Sequence, residues 1–204
     1  MIVLIDGFSI AFRAFYALPE TLMTSKGTPT NVIHGFLSML NKITTDYKLE
    51  QLIVTWDLPG KTFRNEIYTD YKANRSSAPE NFNIQIPLLH ELLDTFNIPQ
   101  VSKKGFEADD VLGSLSAALN KQNKQVLIVT GDRDTYQLIS NKTKILYTKR
   151  GISDVDVVDE KFFIDKFGIK TKQYVEYLAL KGDPSDNIPG LPGVGEKTAI
   201  NLLQ

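Results

Sequence analysis

Three apolar runs in this chain close on aspartate: "IVLID" at 2–6, "QLIVTWD" at 51–57 and "QVLIVTGD" at 125–132. No other feature limits the fold as strongly. A continuous apolar run of that length, ended by a turn residue, predicts a strand buried on both faces. "KILYT" at 144–148 predicts a fourth strand, and "PQVSKKG" before residue 106 another. Between the strands lie helical patterns. "NVIHGFLSMLNKIT" (31–44) spaces Val32, Ile33, Phe36, Leu37, Leu40 and Ile43 for one helix face, and "IQIPLLHELLDTF" (84–96) keeps Pro87 in its first turn. Further helices are expected over 107–119, 159–167 and 171–181. Strands alternating with helices predict an α/β fold, a mainly parallel central sheet with helices on both faces. Residues 58–83 lack a clear core face and residues 183–204 are rich in Gly and Pro, so the expected division is a core over 1–182 and a separate unit over 183–204.

In an open parallel sheet, ligands bind outside the carboxyl ends of the strands. Asp6, Asp57 and Asp132 therefore share one edge. "GFEADDVLGSLSAAL" opens a helix with Glu107, Asp109 and Asp110, Asp134 follows Asp132, and "GDPSDN" adds Asp183 and Asp186. Singly, each acid reads as a helix cap, an Asx turn or a partner of a helix dipole. Gathered at one edge they would repel one another and raise their pKa values unless divalent cations were bound. All-oxygen ligation suits Mg²⁺ or Mn²⁺ over zinc. The acids exceed what one Mg²⁺ needs, and two ions roughly 3.5–4 Å apart suit in-line displacement at phosphorus. His34 and His90 fall within amphipathic helices, which predicts packing or surface roles. Metal-activated water is the better candidate nucleophile.

The net charge of −1 looks wrong for a nucleic-acid binder, but its distribution corrects that impression. Setting aside the nine clustered acids leaves 15 acids against 23 Lys and Arg, an acidic point on a basic body. The 204 residues suffice for one core or a core plus a small unit. There is no cysteine, which excludes disulfides and thiolate metal sites and fits a reducing cytoplasm. No apolar run approaches the ~18 residues of a membrane span, and the start lacks the pattern of a secretory signal.

"KTFRNEIYTDYKANR" (61–75) interleaves Lys61, Arg64, Lys72 and Arg75 with Phe63, Tyr68 and Tyr71. Cations that track phosphate beside rings that stack on bases suit a single strand. "NIPGLPGVGEKTAINLL" (187–203) offers backbone N–H groups at a helix N-terminus, a phosphate-binding end. It is not a P-loop, since Glu196 occupies the required Lys position after Gly190 and Gly195. The pattern fits a helix–hairpin–helix that holds a duplex backbone without reading bases.

Taken in order, "DGFSIAFRAF", "TFRNEIYTDYKANR", "GFEADDVLG", "VLIVTGDRDTYQL" and "LKGDPSDNIPGLPGVGEKTAINLL" closely resemble the 5′-nuclease domains of bacterial DNA polymerases I, the flap endonuclease and 5′–3′ exonuclease family. The resemblance implies a PIN-like core, a helical arch over about 58–83, and a structure-selective nuclease. Its substrates would be 5′ flaps, nicks and RNA-primed duplexes, in primer removal and repair. It implies that Asp6, Asp57, Glu107, Asp109 and Asp110 mainly serve one Mg²⁺ (or Mn²⁺), and that Asp132, Asp134, Asp183 and Asp186 complete the second. Asp109 and Asp132 join Lys72 and Arg75 in the implied catalytic set, the two cations meeting the scissile phosphate. Tyr71 would stack near a frayed nucleotide, Arg13 would bind phosphate near the 5′ end, and Arg64 and Lys197 would contact DNA. The Gly193–Gly195 turn would hold K⁺ through backbone oxygens. Because relatives continue past the point matching Gln204, the expectation is a truncated, monomeric unit with complete acids, a weak duplex grip and a polymerase in the native chain. The competing readings are a branched-DNA binding module that cleaves little and a related metal-dependent ribonuclease. The full acid set disfavours the first, and the hairpin disfavours the second.

Overall fold

The apolar runs form strands in a computed structural model that describes residues 1–151 and 154–204. β1 (Ile2–Asp6) leads into α1 (Gly7–Ala17) and α2 (Asn31–Asp46). β2 (Gln51–Thr55) leads into α3 (Phe63–Ile67), α4 (Glu80–Asn83) and α5 (Gln85–Thr95). β3 (Gln100–Val101) precedes α6 (Ala108–Lys121), and β4 (Val126–Thr130) precedes a 3-10 turn over Arg133–Leu138. β5 (Thr143–Arg150), β6 (Asp154–Val158), α7 (Glu160–Phe167), α8 (Tyr174–Lys181) and α9 (Glu196–Leu203) complete the order.

The sheet runs β3-β2-β1-β4-β5-β6, parallel throughout except where β6 pairs antiparallel with β5. From β1 the chain steps outward to β2 and β3; from β4 it steps the other way. The winding therefore reverses between β1 and β4, and the loops that leave them part to open a crevice. Asp6 stands on one side of it and the Gly131–Asp132 turn on the other.

The pleat divides the apolar runs between two cores. Val3 and Ile5 pack with Phe36, Met39, Ile43, Leu89 and Leu93 on the α1, α2 and α5 side. Ile2 and Leu4 pack with Leu112, Phe163, Tyr174 and Tyr177 on the other. Ala199 of α9 is fully buried in that second cluster, which ties the helix after the Gly–Pro turn to the sheet. His90 has a packing role: Nδ1 lies 2.6 Å from Gln100 Oε1, and the ring lies 4.4 Å from that of Trp56.

Some elements departed from expectation. Helix α1 begins directly at the Asp-Gly that reads as a turn, because Asp6 caps it, accepting from the Ser9 N–H at 3.1 Å. Strand β6 has no apolar run; its acids Asp154 and Asp156 face water and pair with Lys149. The helix expected over 171–181 is a 3-10 turn, Thr171–Gln173, followed by α8. Segment 58–83 supplies only the short helices α3 and α4, joined by turns in which Lys72 takes a φ of 58°.

Gly7 opens α1 against the indole of Trp56, where a Cβ would fall 2.5–2.6 Å from ring carbons. Gly7→Ala is therefore expected to cost about 1–3 kcal/mol as an overpacked contact. Urea unfolding followed by Trp56 fluorescence measures it; an unchanged midpoint would show that the ring moves aside freely.

Candidate active site

The loops at the switch point bring together most of the acids seen in the sequence. A cleft of about 410 Å³ is lined by Asp6, Asp57, Glu107, Asp109 and Asp132, with Lys72 and Arg75 on its rim. Beside it Asp134, Asp183 and Asp186 offer carboxylate oxygens within 4.8 Å of one another. The fold thus divides eight of the nine acids into a central group and a flanking group. Asp110 is the exception. Both its oxygens are gripped by the Arg64 guanidinium, at 2.7 and 2.8 Å, and Oδ2 also accepts from the Glu107 N–H. Burial opposes its charge, but these donors outweigh it and hold its carboxyl below the ordinary range. Arg64 is equally committed: in the metal-free structure the residues expected to serve metal (Asp110) and DNA (Arg64) pair with each other.

Local capping and site formation use the same carboxylates. Asp6 accepts from the Ser9 N–H at Oδ1 and from the Thr130 hydroxyl at Oδ2. Asp57 accepts from Ala108 N at the start of α6, Asp132 from Asp134 N, and Asp183 from Ser185 N. A single capping bond leaves most of a carboxylate's lone pairs free. Asp109 has no hydrogen-bond partner among the described residues. Its position in the first turn of α6 aims it into the cleft.

The electrostatics record an unneutralised cluster. Burial, with Asp57 and Asp132 adding repulsion, pushes the Asp6 carboxyl up to about 6. Burial, then Asp132, Asp183 and Asp186, pushes Asp134 up to about 7. Asp109 is raised by burial and next by Asp6, and Asp132 by burial with Asp186. Hard oxygen donors that are desolvated and mutually repelling fit divalent cations.

The cations meet the acids directly. Lys72 Nζ lies 2.9 Å from Glu107 Oε2, and Arg75 Nη2 lies 2.5 Å from Asp186 Oδ1. Tyr71, expected to stack near a frayed nucleotide, is turned inward in the free structure. The residue is only 8% exposed, its hydroxyl lies 3.0 Å from Glu107 Oε2 and 2.9 Å from Asp186 Oδ2, and Lys72 Nζ sits 4.9 Å from the ring centroid. Arg13 donates to the Thr148 and Lys149 carbonyls, both at 2.9 Å, and passes over Gly131. A Cβ at Gly131 would meet Arg13 Nη2 and Thr148 Oγ1, both at 2.9 Å, so a side chain there would have to displace them. At the far end, Gly193 takes a φ of 77° and Gly195 caps α9, placing Glu196 and Lys197 in the helix's first turn. Sequence reasoning missed Ser9, whose hydroxyl accepts from Gly131 N at 2.7 Å, and Thr130. The only signal was the repeat of hydroxyls beside the strand-end aspartates.

A parallel sheet whose switch point gathers carboxylates under a lysine and an arginine is the frame of an acid-centred nuclease. The chain belongs to the 5′–3′ exonuclease family: the sequence model of its N-terminal, resolvase-like domain matches residues 1–168, and that of its C-terminal SAM fold matches 169–204. It is 45% identical over 204 residues to DNA polymerase I of Mycobacterium leprae, and 40% identical over 203 residues to that of Bacillus subtilis. All of this chain is covered in both matches, but it spans only 22% and 23% of those relatives' lengths. Among solved structures, phage T5 5′-exonuclease with bound zinc matches 98% of this chain and 73% of its own, at a TM-score of 0.80 and 20% identity. A complex of the T5 flap endonuclease with DNA and metal ions matches the same shares, at 0.81 and 21%. These two likenesses establish the fold.

Proposed function

We propose that this chain is a structure-selective 5′ nuclease that hydrolyses phosphodiester bonds in DNA at flaps, nicks and RNA-primed ends. The observation that carries the reading is the placement of Lys72 and Arg75 over a carboxylate cluster at the switch point of a 5′–3′ exonuclease-family fold. Asp6, Asp57, Glu107, Asp109 and Asp132 would hold one divalent ion, and Asp132, Asp134, Asp183 and Asp186 the second, Mg²⁺ or Mn²⁺ in each case. Ions held there supply Lewis-acid polarisation and a water acidic enough to act as nucleophile near neutral pH. The remaining roles belong to the chain. Lys72 and Arg75 exchange carboxylate partners for the reacting phosphate and stabilise the charge that develops on it. The Gly193–Gly195 turn and Lys197 grip the duplex backbone, with K⁺ on the turn's carbonyl oxygens. Linkage to a polymerase, as in the curated relatives, a cytoplasmic setting and a monomeric state belong to the same proposal. Incubation with a labelled 5′-flap DNA should give cleavage with Mg²⁺ and none with EDTA. Binding without cleavage in Mg²⁺ would favour the branched-DNA binding module instead.

The raised carboxyls predict a pH dependence. Asp6 at about 6 and Asp134 at about 7 bind protons more tightly than in the unfolded chain, where aspartate titrates near 3.8. The folded state therefore holds extra protons between those values, and the metal-free protein loses stability as pH rises from about 4 to 7. A divalent ion competes with those protons. Its stabilising effect should be small at pH ~5 and large at pH ~8. Thermal melts with and without Mg²⁺ at both pH values check this, and a Mg²⁺ shift of equal size at both would contradict it.

A further inference from the structure

The segment that carries Lys72 and Arg75 is fastened to the turn that carries Asp183 and Asp186. Lys72 N donates to Asp186 O at 3.0 Å, and Asn74 Nδ2 donates to Pro184 O at 2.8 Å. Asn187 holds the other end twice: its Nδ2 donates to Asp70 O at 2.8 Å, and its carbonyl accepts from the Tyr68 hydroxyl at 3.1 Å. The two loops are over a hundred residues apart in sequence, yet they are laced along their length.

We propose that Asn187 is a positioning residue for the reaction, the clasp that sets Lys72 and Arg75 in register with the flanking carboxylates. This rests on the nuclease reading above. Two conformational facts support it. Lys72 sits at a φ of 58°, a left-handed conformation that a side-chain-bearing residue keeps only when its surroundings hold it there. Asn187 is itself left-handed, at φ 60° and ψ 34°. Glycine satisfies that backbone more easily, and asparagine is among the few other residues that tolerate it. What asparagine adds is the amide, and here the amide reaches across to Asp70. Asn187 touches neither acid group through its side chain, so it acts through the geometry of the loop it clasps. A shift of ~1 Å in a catalytic group is enough to cost ~10²-fold in rate.

Asn187→Gly keeps the left-handed turn and removes only the amide. Asn187→Asp keeps the shape and replaces the donor by an acceptor. Three readouts are compared with the parent protein: single-turnover cleavage of a 5′-flap DNA in Mg²⁺, equilibrium binding of the same DNA in Ca²⁺, and limited trypsin digestion of the metal-free protein. Both variants should cleave about 10- to 100-fold more slowly, with affinity within about threefold. Trypsin should cut after Lys72 and Arg75 about fivefold faster or more, while sites elsewhere keep their rates. An unchanged rate, an unchanged digestion pattern, a rate loss matched by an equal affinity loss, or faster digestion everywhere would each overturn the proposal. If the parent protein cleaves no DNA, the nuclease reading falls, and digestion at Lys72 and Arg75 still decides whether Asn187 is the clasp.

Discussion

Asp109→Ala is expected to abolish cleavage while leaving flap binding and thermal stability intact. In the metal-free fold this carboxylate is a liability. It is desolvated, it faces Asp6 and Asp132, and no hydrogen bond from the described residues repays its burial. Removing it relieves repulsion, so the melting temperature without metal should hold or rise. In the proposed reaction its value would be in binding metal, which contributes several kcal/mol of transition-state stabilisation. Turnover should therefore fall by roughly three orders of magnitude or more, since ~1.4 kcal/mol is tenfold. Asp110→Ala is the control. It frees Arg64 from its bidentate pair and takes away an acceptor at the start of α6, so it should lower stability more than chemistry. Single-turnover cleavage, binding in Ca²⁺ and thermal melts of both variants make the comparison. Equal losses of binding and turnover for Asp109→Ala would remove it from the metal site.

Lys72→Ala carries the second large effect. Lys72 reaches Glu107 at 2.9 Å and Asp186 at 3.8 Å, so in the metal-free protein it is the counter-charge that links the central and flanking acids. Divalent ions would take over that duty and release the ammonium to the reacting phosphate. An interaction made mainly in the transition state lowers turnover, whereas uniform binding lowers affinity. Single-turnover cleavage should drop by ~10²-fold or more, the scale of losing one preorganised charge stabiliser. Flap affinity should change by less than about tenfold, or ~1.4 kcal/mol. Lys197→Ala, in the first turn of α9, should show the opposite split: weaker duplex binding with a flatter salt dependence and a nearly normal rate once saturated. Rapid-quench cleavage beside binding in Ca²⁺ measures both variants. A Lys72→Ala protein that binds poorly and cleaves normally would make this segment a docking surface.

The fold and the acid cluster were legible because they rest on local pattern. Apolar runs of strand length predict buried strands wherever they occur, and the edge shared by Asp6, Asp57 and Asp132 follows from parallel pairing alone. The helix opening at Glu107 was legible for the same reason. β6 was not, since a strand that exposes Asp154 and Asp156 to water and pairs only at an edge shows no apolar run. Nor was α1, because Asp-Gly is a turn signal unless the aspartate becomes the helix cap.

By itself the sequence determined the α/β class, the sharing of one sheet edge by the strand-end acids, and the basic, aromatic character of the segment after Asp57. Those are properties of residues and their near neighbours in the chain. Only the tertiary structure decided that Asp110 is withdrawn into a pair with Arg64 and that Tyr71 is buried between Glu107 and Asp186 instead of standing free. It also decided that Asn187 clasps the loop of Lys72. Each of these joins residues between 36 and 119 positions apart. Such contacts depend on where the reversal of winding between β1 and β4 sends its loops, and no local pattern carries that distance.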